Sequence, residues 1–338
     1  MDFGTRYDRL YVAILIPYKD NTYELDEGQL RSLLKLYLQP KYIDLGIGII
    51  INPEAGEIFY LTNEEKRRIV DIAVDEVKGK VPLFAGVIDN TTAGTVKVAL
   101  DAKKAGVDGL FAIPPIGAMD ITTSWNADKY PEVWIDMIKE VVKAVGDMPI
   151  ICHPTGSWSA LYGNGIPLEA TLRICNEIKN IVGWKMTYTY DGYKIIARAL
   201  RKFDRHIAIL SAAAGYFQEN IATGLFDGTV TGSFNYALEP MIDHLVAWRK
   251  GDFKDALRIW DSGLGALQEF VYSDYSRMHI RYKAATWLRG HISNPFMKPP
   301  LPKPQKNEIQ ILRELLINAG VSVIDNSKVS IVTKILEL

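Results

Sequence analysis

The strongest constraint on this chain is an alternation. Short apolar runs rich in β-formers recur along it, each followed by a helix-length amphipathic stretch. The candidate strands cover residues 11–17, 44–51, 82–87, 109–115, 149–154, 182–187, 208–212 and 228–233. Eight strand–helix units in about 250 residues fit a (β/α)8 TIM barrel better than an open doubly wound sheet. The open sheet usually brings a glycine-rich phosphate loop after an early strand, and neither GxGxxG nor GxxxxGK[ST] occurs.

Local signals agree with this alternation. Thr62 is the expected N-cap of a helix running to about Val77, with Glu65 as its reciprocal capping-box partner. A helix over 92–105 should stop at Gly106. Pro167 suits the first position of a helix over 167–179. Beyond the eighth strand, helices are expected at 239–250, 253–272 and 275–290. A proline-rich crossing follows at 295–304, then a helix near 307–319 and a short tail. The expected organisation is a barrel over 1–238 and a helical region over 239–338 packed on it. No stretch between them reads as an independent linker.

Composition narrows the function classes. The chain has 338 residues, 48% hydrophobic and 23% charged, with a formal net charge of −1. That suits a large core and gives no bulk attraction to nucleic acid or to a membrane surface. No apolar run reaches the roughly 18 residues of a membrane span. The charged start, Met1 to Arg9, does not read as a secretory signal. Cys152 and Cys175 form no CxxC, and the five histidines show no HExxH spacing, so neither a metal nor a cofactor is expected. A disulfide has no support, and a reducing cytoplasm is the default location.

Within the sixth apolar run stands Lys185, in Ile181-Val182-Gly183-Trp184-Lys185-Met186-Thr187. A central strand rarely carries a lysine, because burying an unpaired ammonium is costly. Burial also favours the neutral amine, which is a nucleophile toward carbonyls. The competing reading is a strand-end lysine whose stem packs while its head reaches water. Side chains alternate along a strand, so Lys185 shares a face with Thr187. In the fifth run His153 shares a face with Ile151, and Cys152 points the other way. Reactive groups in such barrels project from the C-terminal strand ends and the loops after them. After the second strand comes Asn52-Pro53-Glu54-Ala55-Gly56-Glu57, where the glycine lets backbone N–H groups approach an anion.

These residues resemble the dihydrodipicolinate synthase / N-acetylneuraminate lyase family of Schiff-base lyases, which are (β/α)8 barrels with a helical C-terminal extension. The family's G-[TS]-T-G-E followed by x-x-x-L-[TS] is matched by Gly56-Glu57-Ile58-Phe59-Tyr60-Leu61-Thr62. Its lysine strand is matched by Ile181 to Thr187, and its A-G-A-D-G by Ala105-Gly106-Val107-Asp108-Gly109. Its asparagine after strand eight is matched by Asn235. The resemblance runs in register from about Tyr11 to Tyr236 and implies that Lys185 is the imine-forming nucleophile.

The departures from the family pattern are as informative. Glu54 and Ala55 replace the two hydroxyl residues that help hold a 2-oxo acid carboxylate and relay protons. His153 aligns with the tyrosine that shuttles a proton, and Ile116-Gly117 with a tyrosine pair. The arginine of the loop after strand five is absent from Pro154-Thr155-Gly156-Ser157-Trp158. That loop is longer here and carries Trp158 and Tyr162. Ala212-Ala213-Ala214 stands where polar residues hold a sugar or amino-acid tail.

Most candidates keep more than one reading. His153 is either the proton shuttle, since imidazole titrates near working pH, or a strand-end histidine bonded to backbone. Glu54 is a general base, a charge that repels substrate, or a side chain turned to solvent. A like charge about 4 Å away opposes an anion by about 4 kcal/mol at an effective dielectric of about 20. Each charge-assisted backbone donor around Gly56 returns about 1.5–3 kcal/mol. Glu57 reads as structural. Thr187 is expected near the imine, Trp158 in an aromatic wall or in surface packing, and Asn235 at the substrate or in the framework.

The resulting expectation is a lyase, of aldolase or dehydratase type, acting on a 2-oxo acid or related small carbonyl substrate. Its partner substrate would be less hydroxylated than a sugar, and the family likeness implies a homo-oligomer, dimer or tetramer. The rival expectation is a barrel without aldolase activity, used for ligand sensing or as a structural oligomer.

Overall fold

The computed structural model describes residues 4–19, 22–115 and 125–335; Ile116 and Gly117 lie outside them. Eight parallel strands close into a barrel: β1 (Leu10–Ala13), β2 (Ile47–Ile51), β3 (Leu83–Val87), β4 (Gly109–Ala112), β5 (Ile150–Cys152), β6 (Ile181–Met186), β7 (Ala208–Ser211) and β8 (Gly228–Thr231). Each pairs with its neighbours in the chain, and β8 returns to β1. Most strands are shorter than the apolar runs that announced them. The residues after each strand leave the ladder and shape the mouth of the barrel instead.

The interior is packed rather than open. The Tyr11 ring covers Gly48 on the adjacent strand, where a Cβ would stand 2.5 Å from it. Phe84 covers Gly109 in the same way, and the two rings meet edge to face at 5.5 Å. A large side chain facing a glycine on its neighbour fills the N-terminal end of the barrel.

Helix caps follow the expected chemistry. Thr62 Oγ1 accepts from the Glu65 N–H at 3.2 Å and Glu65 Oε2 from the Thr62 N–H at 2.8 Å, opening Asn63–Val77. Thr92–Ala105 ends at Gly106 with φ 96°. Pro167 is the N-cap of Leu168–Glu177, one position earlier than expected.

Past the barrel the helices depart from the sequence reading in informative ways. The helix Phe234–Arg249 runs straight through position 238/239, with its kink at Ala237. Pro240 has no N–H to offer the Tyr236 carbonyl. Arg289 Nη1 donates to that carbonyl at 2.6 Å, and the His291 Nδ1 bonds the Asn235 carbonyl at 3.0 Å. The C-terminal region is thereby bonded into the barrel's last helix. The expected single helix over 253–272 is two, Phe253–Ile259 and Gly265–Tyr272, joined by a π turn over Trp260–Leu264. Gly263 takes φ 140° there, and a Cβ would stand 2.6 Å from the Asn318 backbone, so the position needs glycine. Met278–Leu288 and Lys306–Asn318 complete the packing, and a further helix, Asn326–Ile335, occupies the expected tail. Among the described residues no helix is long and apolar enough to cross a membrane.

Candidate active site

At the C-terminal mouth of the barrel a cavity of about 240 Å³ opens above β5 and β6. Lys185, near the end of β6, sends its amine into it; Thr187 follows one residue past the strand. His153 emerges directly after β5. Glu54 comes from the one-turn 3-10 segment Glu54–Gly56 after β2. That turn aims its carboxylate inward, where the side chain is only 10% exposed.

Four groups form a connected string. Lys185 Nζ lies 3.4 Å from Glu54 Oε2 and 3.4 Å from His153 Nδ1. The other Glu54 oxygen contacts His153 Nδ1 directly. His153 Nε2 lies 3.0 Å from Thr187 Oγ1. A carboxylate on Nδ1 assigns the ring proton to that nitrogen, so Nε2 accepts from the Thr187 hydroxyl. Phe111 on β4 forms the floor, stacked under His153 at 5.8 Å and lying 5.7 Å below the Lys185 amine.

Electrostatics follow from the burial. Lack of water pulls the Lys185 amine down to about 7 from its ordinary value, while the Glu54 carboxylate acts in the opposite sense. Burial, and then the Lys185 ammonium and His279, push His153 well below the usual imidazole range; its Glu54 contact opposes them. His279 is pushed down to about 4 by burial and by Lys185. Near neutrality the site therefore holds a part-neutral amine beside a carboxylate and two imidazoles that resist protonation. Such a string can take a proton from an adding amine and return it to a leaving hydroxyl.

The remaining wall comes from the helical region. Tyr272, Tyr275, Met278, His279 and Tyr282 face the cavity from beyond the barrel. Tyr282 and Tyr272 touch hydroxyl to hydroxyl, and Tyr272 donates to the Ala212 carbonyl at 3.0 Å. From the sequence alone these positions read as helix packing. Their only signal is the i, i+4 pairs 275/279 and 278/282, which any core-facing helix shows.

The other candidates fall elsewhere. Ala55 lines the cavity, but Gly56 packs against β1: a Cβ there would lie 2.7 Å from the Ile14 carbonyl oxygen. The N–H groups of Gly56, Glu57 and Ile58 all bond inside the turn, to Pro53, Glu54 and Pro53 carbonyls. No anion cradle is left among those three. Trp158 is 71% exposed on a hairpin of Thr155–Ser159 and Gly163–Gly165, which is the long loop after β5. That hairpin presents Thr155 and Asn164 to the cavity instead. Asn235 is buried and bonds framework: its amide donates to the Ala13 and Gly232 carbonyls at 2.8 Å each, and its oxygen accepts from Tyr37 at 3.2 Å. A separate cluster, Asp8, His206 and Asp227, lies at the opposite end of the barrel. His206 Nε2 pairs with Asp8 at 2.7 Å, and Asp227 is held by Arg201 and the Ile209 N–H.

Relatives share this architecture. A 4-hydroxy-tetrahydrodipicolinate synthase of Methanopyrus kandleri is 25% identical over 319 residues, covering 94% of this chain and 98% of its own. The solved dihydrodipicolinate synthase of Aquifex aeolicus superposes with a TM-score of 0.76 at 22% identity, over 94% of this chain and 99% of its own. A Ruminococcus gnavus sialic acid aldolase, solved as a catalytic lysine mutant, gives 0.77 at 16% identity, over 95% and 98%. The profile of the dihydrodipicolinate synthetase family matches residues 6–319. On that match the chain belongs to the dihydrodipicolinate synthetase family, a family of aldolase-type lyases.

Proposed function

We propose that this chain is a lyase that acts on a carbonyl substrate through an imine on Lys185. The observation that carries the reading is a buried lysine amine, held near neutrality, at the barrel mouth with a carboxylate and an imidazole 3.4 Å away. Family membership supports it, as does a catalytic lysine in the sialic acid aldolase of the same fold.

The chemistry follows from the string of side chains. The neutral amine adds to the carbonyl carbon, and its surplus proton passes to Glu54. Glu54 returns that proton to the new alkoxide. The carbinolamine hydroxyl then leaves as water with a second proton, which solvent supplies through the Glu54–His153 pair, and the nitrogen lone pair closes the C=N bond. The protonated imine then draws electrons from the bond between the α and β carbons. That bond breaks and its pair becomes an enamine. The β-hydroxyl gives its proton to the imidazole and leaves as an aldehyde carbonyl. The enamine takes a proton at carbon, and water releases Lys185. Run backwards, the same steps join the two carbonyl compounds, and loss of the β-hydroxyl as water gives dehydration. His153, backed by Glu54 and bonded to Thr187, takes the part that a tyrosine has in the family pattern.

Borohydride reduction in the presence of a carbonyl panel, followed by peptide mass analysis, tests the reading. The expected result is an adduct on Lys185 that Lys185→Arg abolishes. Adducts elsewhere, or none from any carbonyl in the panel, overturn it.

A further inference from the structure

The cavity also carries information about what it excludes. A 2-oxo acid bears its carboxylate directly on the carbon that Lys185 attacks, so that charge must sit close to the amine. Here Glu54 Oε2 already occupies a place 3.4 Å from Lys185 Nζ. Glu54 is not free to swing away, because its second oxygen contacts His153 Nδ1 and its side chain is enclosed.

Among the described residues lining the cavity no second cation offsets the repulsion. The N–H groups of Gly56, Glu57 and Ile58 are closed into the turn. Among the described residues lining the cavity there is no arginine, and Lys185 is the only lysine. Once Lys185 becomes an imine, its single positive charge faces the Glu54 carboxylate. A substrate carboxylate would then be the unmatched charge in a site with little water to screen it.

Apolar side chains and aromatic rings make up much of the wall beyond the amine. Phe59, Ala212, Val230, Tyr275, Met278 and Tyr282 line it. Tyr272 stands edge to face with both Tyr275 and Tyr282, at 6.3 and 5.9 Å. Edges and faces of this kind receive an aromatic ring well. His279 lines the same cavity as a neutral imidazole, and it can meet a hydroxyl on the distal part of a substrate.

We infer that this cavity takes an uncharged aldehyde or ketone with an aromatic body, not a 2-oxo acid. The inference rests on the imine reading above and narrows it to a substrate class. Glu54 is then a selectivity group as well as a proton carrier: it neutralises the iminium that forms and repels carbonyl compounds that bring their own carboxylate.

A matched pair of probes tests this. One is the neutral aldol of benzaldehyde and acetone; the other is the aldol of benzaldehyde and pyruvate, identical except that a carboxylate replaces the methyl group. Each is trapped with borohydride on the full-length protein, and Lys185 adducts are counted by mass. Each yield is divided by that obtained with free Nα-acetyl-lysine, which removes the intrinsic reactivity of the carbonyl. The neutral probe should exceed the acid by at least about tenfold. Glu54→Gln, which keeps the shape and removes the charge, should shrink that ratio through a gain for the acid probe. Equal or better trapping of the acid by the unaltered protein overturns the inference while leaving the imine reading intact. Failure of both probes and of every other carbonyl to label Lys185 overturns the imine reading and this inference with it.

Discussion

The Lys283 ammonium lies 2.5 Å from the Glu57 carboxylate, and both side chains are sealed from solvent. Glu57 holds a left-handed backbone, φ 63°, after β2, and Lys283 belongs to the helix Met278–Leu288. The same carboxylate accepts the Lys298 N–H at 2.7 Å, and the Lys283 amine sits 4.0 Å over the Tyr18 ring. One buried ion pair thus fastens the loop that carries Glu54 to the helix that carries His279. Removing one partner strands a buried charge. Lys283→Met should therefore cost about 3–5 kcal/mol of unfolding free energy. Adding Glu57→Gln should recover part of the loss. Urea unfolding of the single and double variants measures both, and a loss below about 1 kcal/mol for Lys283→Met would show that water reaches the pair.

The Lys185 amine should react as a nucleophile with a midpoint at about 7. The sign follows from burial: the ammonium is the disfavoured form, so the neutral amine accumulates at a pH well below the roughly 10.4 of an exposed lysine. Competitive labelling with acetic anhydride across pH reads this midpoint directly. A labelling curve centred on the value of an exposed lysine would mean that the amine is hydrated.

His153→Phe should slow enamine formation by roughly 10²–10⁴-fold, the usual worth of a positioned acid–base group. Thr187→Val, which removes only the hydroxyl at His153 Nε2, should cost about tenfold, one hydrogen bond's worth. Deuterium uptake beside the carbonyl of a ketone in heavy water reports enamine formation whatever the natural substrate is. Full exchange by His153→Phe would remove the imidazole from the proton path.

Gly56→Ala places a Cβ 2.7 Å from the Ile14 carbonyl oxygen and 2.9 Å from Pro53. Both are framework atoms of the site, so overpacking of about 1–3 kcal/mol is expected. Thermal unfolding checks it. A variant as stable as the parent would show that the turn after β2 shifts freely, and that Glu54 is less firmly aimed than its contacts imply.

The barrel is legible in the sequence because most strands are apolar on both faces and several intervening helices carry caps that read locally, as at Thr62 and Gly106. The meeting of Lys185, His153 and Thr187 is legible for a related reason. Their strands are consecutive, consecutive strands pair, and period-two parity says which side chains point inward. Glu54 is only half legible: its place after β2 is plain, but its aim depends on a 3-10 turn that composition does not announce. The wall of Tyr275, Met278, His279 and Tyr282 is not legible, because docking a helix across the mouth is a long-range event with no local signature. Asn235 sits in register with a family position, yet its bond to Ala13 arises only once β1 and β8 are neighbours. The break at Gly263 is hidden for the same reason, since the Asn318 backbone that demands it is 55 residues away in the chain.

The two walls of the cavity come from stretches of chain made at different times. Lys185, His153 and Glu54 precede barrel closure by β8, and the aromatic wall follows it. Chains emerge N-terminus first, so the strands are synthesised well before the helix Met278–Leu288. The low proton affinity of Lys185 stems from burial, and part of that burial belongs to the late helix. A nascent chain that stops short of Tyr275 would carry a more hydrated lysine, with a higher proton affinity. The aromatic wall, and the burial it adds to Lys185, come only with the last helices.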